Sequence, residues 1–147
     1  MQKKRFMIDT NVFISAFKSG YTVTTRLLLK LLLDPDVELI VDDVLLNEYE
    51  KWFKLLSTRI PKIQEQAELL YSLIKAKAKL DHPSSNDINK VKQYFPETET
   101  ADIYHAATCL KTNCTLITND KGFQELKRAR TVEIWTISEA VRKLLEQ

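Results

Sequence analysis

Two short apolar runs in this chain end on a carboxylate, about 110 residues apart. Phe6-Met7-Ile8 leads into Asp9, and Thr115-Leu116-Ile117-Thr118 leads into Asn119-Asp120. An ionised carboxylate at the tip of a buried strand is costly unless a hydrogen-bond cage, a cation or a metal receives it. Between the two runs, helical patterns alternate with short strand-like segments, which predicts an α/β fold with a mainly parallel sheet. Parallel strands finish at one edge, and in open α/β sheets ligands collect outside the carboxyl ends of the strands. The paired run-plus-carboxylate therefore constrains both the fold class and the place where chemistry is expected.

The apolar periodicities predict strands over 4–8, 37–41, 80–83, 114–118 and 131–136. Helices are predicted over 11–18, 22–33, 44–56, 62–79, 87–94, 101–112, 121–128 and 138–145. Ser19-Gly20, Asp34-Pro35-Asp36, Pro61 and Pro96 punctuate them. Thr22 (or Thr24 or Thr25), Asp42-Asp43, the Ser84-Ser85-Asn86 loop, Thr100 and Ser138 are the expected N-caps. The helix over 22–33 carries leucines at 27, 28, 29, 31, 32 and 33, around most of its circumference. Such a helix is buried in the core or covered by a second copy or another partner. At 147 residues, a single domain over 1–147 is expected.

Composition removes several function classes. Two glycines are too few for a glycine-rich phosphate loop of either common type. A net charge of +2 does not by itself mark a nucleic-acid binder. The apolar stretch at 27–33, interrupted by Lys30, is far shorter than a membrane span. Basic Met1 to Arg5 is followed by only Phe6-Met7-Ile8 before Asp9, too short for a secretion signal, so a cytoplasmic location is expected. Cys109 and Cys114 lack the spacing of a zinc knuckle and read as core thiols.

Two more acids belong with Asp9 and Asp120. Asp102 falls in the first turn of the helix that feeds the 114–118 strand, and Glu48 sits about one turn inside the helix that follows the 37–41 strand. Taken alone, each reads as a helix-dipole partner or a solvated acid. Together the four converge on one sheet edge, where neighbouring carboxylates repel and a hard divalent cation with oxygen ligands relieves the repulsion.

The ordered set Ile8-Asp9-Thr10-Asn11, Glu48, Ala101-Asp102-x-x-x-Ala106-Ala107 and Leu116-Ile117-Thr118-Asn119-Asp120-x-x-Phe123 resembles the motif series of the PIN-domain nucleases. The resemblance runs from residue 5 to about 135, with 57–95 departing from the pattern. It implies a three-layer α/β/α fold around five parallel strands, and a metal-dependent ribonuclease, frequently the toxin half of a VapC-type toxin–antitoxin pair. It implies Mg²⁺ or Mn²⁺ held by Asp9, Glu48, Asp102 and Asp120, with Asn11 and Thr118 supporting the site and Glu99 as an additional nearby acid. RNA would be the substrate, an antitoxin the protein partner, and the 27–33 helix the place to look for antitoxin or homodimer contact. An acidic pocket repels RNA, so basic flanks are needed; Lys121, Lys127, Arg128 and Arg130 supply one, and Lys75, Lys77 and Lys79 a second. Tyr21, Tyr94 and Trp52 are the aromatics available for base stacking, with Trp52 reading as core. His105 reads as structural or solvated and His82 as a loop residue. Two alternatives stand beside this: a Mg-dependent phosphohydrolase with Asp9 as nucleophile, disfavoured because Asn11 occupies the place of its usual second acid, and a non-catalytic PIN-like RNA- or protein-binding module.

Overall fold

The computed structural model describes residues 3–18, 22–60, 62 and 64–146. The Ser19-Gly20 break, Tyr21, the Pro61 helix start and Ile63 lie outside the described residues. In chain order the elements are β1 (Lys4–Ile8), α1 (Thr10–Lys18), α2 (Val23–Leu33), β2 (Val37–Val41), α3 (Asp43–Arg59), α4 (Gln64–Lys77), β3 (Ala78–Leu80), α5 (Ser85–Val91), α6 (Thr100–Thr112), β4 (Thr115–Ile117), α7 (Gln124–Ala129), β5 (Ile134–Trp135) and α8 (Ile137–Leu145). The strands form one parallel sheet in the order β3-β2-β1-β4-β5. Helices flank it to make the expected three-layer α/β/α fold: α2 packs on α1, α4 and α8, while α6 packs on α5, β2 and β4.

The strand order reverses at β1, which receives β2 on one side and β4 on the other. Met7 pairs with Leu116 and Ile8 with Ile117, so the next residues, Asp9 and Thr118, stand side by side beyond the strand ends. Phe6 pairs with Leu39, and the same register carried three residues further sets Asp42 beside Asp9 on the other flank. The residues behind this edge are fully apolar: Phe6, Met7, Ile8, Leu39, Ile40, Val41, Leu116 and Ile117 are all buried. A strand covered on both faces reads as a continuous apolar run rather than an alternating one, and these do.

Several boundaries differ from the sequence expectation. The third strand is at 78–80 rather than 80–83, because Ala78, Lys79 and Leu80 pair with Leu39, Ile40 and Val41 and so cut the preceding helix short at Lys77. Thr136, not Ser138, caps the last helix: Thr136 and Glu139 form a reciprocal capping box. At α6 the cap position falls on Glu99 rather than Thr100, without a side-chain capping bond. Ser84 caps α5 through a box with Asp87, and a 3₁₀ turn at Lys92–Tyr94 follows. Thr22 caps α2 as expected. The leucines of α2 at 27, 28, 31 and 32 are buried in the chain's own core, while Leu33 is 64% exposed. Both cysteines are free and buried.

Candidate active site

Asp9 is built into its place by the turn that follows β1. Its backbone N–H still bonds across the sheet to the Ile117 carbonyl at 3.0 Å, so the residue is the last one tied to the ladder. Its Oδ1 accepts from the Thr10 N–H at 2.8 Å, and its Oδ2 from the Thr118 hydroxyl at 2.6 Å and from Asn11 Nδ2 at 3.3 Å. Thr118 is the junction of this cage. Its hydroxyl also accepts from the Asp120 N–H at 3.0 Å and from Asn11 Nδ2 at 3.3 Å. Asn11 and Thr118 therefore sit on the Asp9 carboxylate directly. Burial pushes the Asp9 pKa upward, and the bonds from Thr118 and Thr10 only partly oppose it.

Asp102, in the first turn of α6, feels the same crowding from the other side. Burial, then the charges of Asp120 and Asp9, raise its pKa to about 6, with Glu99 adding to the repulsion and His105 working against it. Asp120 is exposed at the start of a 3₁₀ turn (Lys121–Phe123), where its Oδ1 accepts from the Gly122 N–H at 2.8 Å. Gly122 lies between the two acids. A Cβ added there would stand 3.2 Å from Asp120 Oδ1 and 3.8 Å from Asp102 Oδ2. Asp9, Asp102 and Asp120 thus share the carboxyl edge of the sheet and act on one another electrostatically. Among the described residues no three acidic, histidine or cysteine side chains close on a point tightly enough to form a ready-made metal cage. Mg²⁺ does not require one, because it keeps several waters and binds through one or two carboxylates. The donor set suits such an ion: it is all oxygen, and the charges of Asp120 and Asp9 add to burial in raising the pKa of Asp102.

Glu48 approaches from α3. The Thr10 hydroxyl donates to its Oε2, and His105 Nε2 lies 3.5 Å from its Oε1. Burial works to raise the Glu48 pKa, but His105 and Thr10 outweigh it and hold the carboxyl below its usual range. His105 is the residue that sequence reasoning placed too loosely. It is 2% exposed, with Nδ1 bonded to Asp42 Oδ2 at 2.6 Å, while Asp42 itself is fully buried. Asp42 caps α3 as expected, accepting from the Leu45 N–H at 2.7 Å, and with its second oxygen it holds the histidine. Burial alone would lower the imidazole pKa; Asp42 and Glu48 together raise it to about 10. The ring is a buried cation among the acids. Its place three residues after Asp102, on one face of a helix, was the sequence signal for it.

The basic flank is only partly available. Lys127 is paired with Glu139 and Arg128 with Glu125, whereas Lys121 and Arg130 are exposed without an ion pair among the described residues. Lys121 and Lys127 line a cleft of about 420 Å³ with Thr118, Asn119, Asp120 and Thr136. The second basic cluster is committed to the fold: Lys75 lies over the Tyr71 ring, Lys77 donates to the Asp34 carbonyl, and Lys79 pairs with Glu38. Trp52 and Tyr94 are partly buried against the core. His82 is exposed, 3.3 Å from the Tyr104 hydroxyl.

A family model described as PIN domain matches residues 6–129. No curated protein matches the chain. Among solved structures, the chain is similar to VapBC2 from Rickettsia felis, crystallised bound to a DNA fragment from its promoter, at 17% identity over 90% of this chain and 98% of that one, with a TM-score of 0.59. It is also similar to VapBC-1 from nontypeable Haemophilus influenzae, at 20% identity over 91% of this chain and 98% of that one, with a TM-score of 0.57. At these identities the likeness is one of fold.

Proposed function

The chain belongs to the PIN-domain family, and on that premise we propose that it is a metal-dependent endoribonuclease that hydrolyses RNA phosphodiester bonds. The observation that carries this reading is the gathering of Asp9, Asp102 and Asp120 at one sheet edge, where burial and then the charges of Asp120 and Asp9 raise Asp102 to about 6. Such repulsion has a use where a divalent cation is to be received. Asp9 and Asp102 would hold Mg²⁺ or Mn²⁺ directly, and Asp120 and Glu48 would complete the site directly or through water. When bound, the ion supplies charge neutralisation at the scissile phosphate and acidifies the attacking water. The chain's own residues orient the donors. Thr10 and Thr118 fix the two oxygens of Asp9, Asn11 steadies both Asp9 and Thr118, and Gly122 leaves room for the Asp120 carboxylate. Glu99 adds negative charge beside Asp102. Lys121 and Arg130, unpaired among the described residues, would meet RNA phosphates, and Lys127 and Arg128 would join them by exchanging their carboxylate partners.

Asn11 counts against the aspartyl-nucleophile alternative, since it donates to Asp9 where a second acid would be needed. We further read the protein as the toxin of a toxin–antitoxin pair, acting in the cytoplasm. The fold likeness to two VapBC complexes supports this. No helix among the described residues is long and apolar enough to cross a membrane. Antitoxin contact and homodimerisation would use exposed positions such as Leu33 at the end of α2, because the other faces of that helix are consumed by the core.

The direct test is cleavage of a mixed RNA substrate with Mg²⁺ or Mn²⁺, against excess EDTA. Cleavage that survives chelation overturns the metal-dependent reading. Gly122→Ala gives a finer check. The added methyl meets Asp120 Oδ1 at 3.2 Å and must displace it by a few tenths of an ångström. Misplacement of a catalytic group by about 1 Å can cost 10²-fold, so a loss of about 10-fold in kcat is expected with an unchanged melting temperature. Full activity in Gly122→Ala would remove Asp120 from the site.

A further inference from the structure

Asp42, His105, Glu48 and Thr10 form one continuous chain along the carboxyl edge of the sheet, from the tip of β2 to the start of α1. Three elements contribute to it: Asp42 caps α3 and Glu48 lies within it, His105 reaches across from α6, and Thr10 opens α1. The imidazole is confined at both ends, with Nδ1 on Asp42 at 2.6 Å and Nε2 turned to Glu48 at 3.5 Å. Nε2 is fully buried and, among the described residues, makes no hydrogen bond. A buried ring nitrogen left without a partner is costly, and the nearest group that can receive it is the Glu48 carboxylate.

We propose that His105 is a positioning residue for Glu48: anchored by Asp42, its ring steers one oxygen of the Glu48 carboxylate while the Thr10 hydroxyl steers the other. The inference rests on the nuclease reading, because positioning Glu48 matters only if the acidic edge receives a metal and substrate. Glu48 is partly exposed and lies on a helix face rather than at a strand tip, and among the described residues it is Thr10 and His105 that reach its carboxylate. A side chain held by another side chain is tuned by that partner, as the outer groups of metal sites tune their ligands. His105 also touches the site's charge balance, since it opposes the upward shifts of both Asp9 and Asp102.

The experiment is a double-mutant cycle on the full chain, using His105→Asn, Glu48→Gln and the pair. Each is measured for Mn²⁺ affinity by calorimetry, for RNA cleavage as kcat and KM, and for folding by circular dichroism. Asn at 105 retains an amide for Asp42 but is too short to reach Glu48. If His105 acts through Glu48, each single variant weakens Mn²⁺ binding by about 10-fold, the low end for loss of an outer-shell partner. The double variant is then no weaker than Glu48→Gln. Cleavage falls in kcat with little change in KM. His105→Gln, whose longer amide spans part of the gap, should recover part of the loss. Asp42→Asn keeps a capping side chain and is carried alongside, so that one variant failing to fold leaves the comparison standing. Losses that add in the double variant overturn the proposal, as does a lowered melting temperature with unchanged Mn²⁺ affinity and kcat. Failure of the nuclease reading looks different: the parent itself then shows no metal-dependent cleavage, or Asp9→Asn cleaves as the parent does.

Discussion

Asp9→Asn is expected to reduce metal-dependent RNA cleavage by about 10³-fold while leaving the metal-free fold intact or more stable. A catalytic metal contributes several kcal/mol of transition-state stabilisation, and each 1.36 kcal/mol is about tenfold in rate. Asp9 is the carboxylate held most firmly, with Thr10, Asn11 and Thr118 all bonded to it, so its loss removes the fixed point of the donor set. The stability effect has the opposite sign. Burial raises the folded-state pKa of Asp9 above its unfolded value. A group raised in this way contributes stability that is present below the unfolded pKa and lost as pH rises through the folded one. At neutral pH the metal-free parent therefore carries the cost of a buried, ionised carboxylate, and the neutral amide does not. In EDTA the variant should melt at the parent's temperature or above. Added Mn²⁺ should raise the melting temperature of the parent and not of the variant, since an ion that binds only the folded state stabilises it by mass action. Thermal scans with and without Mn²⁺, beside the cleavage assay, check all three statements. A variant that still cleaves sinks the metal-site reading. A variant that unfolds in EDTA shows instead that Asp9 is structural.

Asp42→Ala carries the largest expected cost to stability, about 3–5 kcal/mol, the usual penalty for leaving one member of a buried ion pair alone. Asp42 is fully buried and serves two clients: it caps α3 at Leu45 and it holds His105. Cap loss alone is worth only about 1 kcal/mol, so the size of the effect separates the two roles. The pH dependence separates them again. His105 is raised from 6.5 to about 10 in the folded chain: burial works to lower it, and Asp42 and Glu48 outweigh burial. For such a base the stabilisation is complete below the unfolded pKa and is lost as pH rises through about 10. Urea unfolding in EDTA should therefore show a wide gap between parent and variant at pH 6.5 that narrows towards pH 10. A gap of constant width would mean that Asp42 acts as a cap alone.

The positions of Asp9 and Asp120 were legible because they follow apolar runs, and a strand tip is a place the sequence marks. Asp9 and Asp120 follow from Phe6-Met7-Ile8 and Leu116-Ile117 without knowledge of strand order. The parallel α/β class was legible for the same reason, since the strands alternate with helices and read as continuous apolar runs. The link between Asp42 and His105 was not, because it joins residues 63 positions apart on elements whose adjacency depends on the packing of α3 against α6. The basic flank was visible as charge, but its neutralisation by Glu125 and Glu139 depends on rotamers and on α8 lying beside α7, which sequence does not mark. The third strand was misplaced by two residues because Ala78 continues a helical pattern and is recruited to a strand only by Leu39 across the sheet. The last cap was readable: Thr136-x-x-Glu139 is a capping-box pattern, and it outranks Ser138 once the glutamate is counted.

The place of β1 in the middle of the sheet has a consequence for how the protein is made. A growing chain presents Asp9, Asp42 and Glu48 early, but the hydroxyl that holds Asp9 belongs to Thr118, 109 residues later. Contacts of such sequence separation form late, after the intervening loop entropy has been overcome. A nascent chain that has folded back only its β1–β3 half carries acids without the β4 residues that orient them and without Asp102. On the nuclease reading, hydrolytic competence arrives only when the second half docks. On that reading, a chain built this way stays inert towards RNA until α6 and β4 have been made and docked.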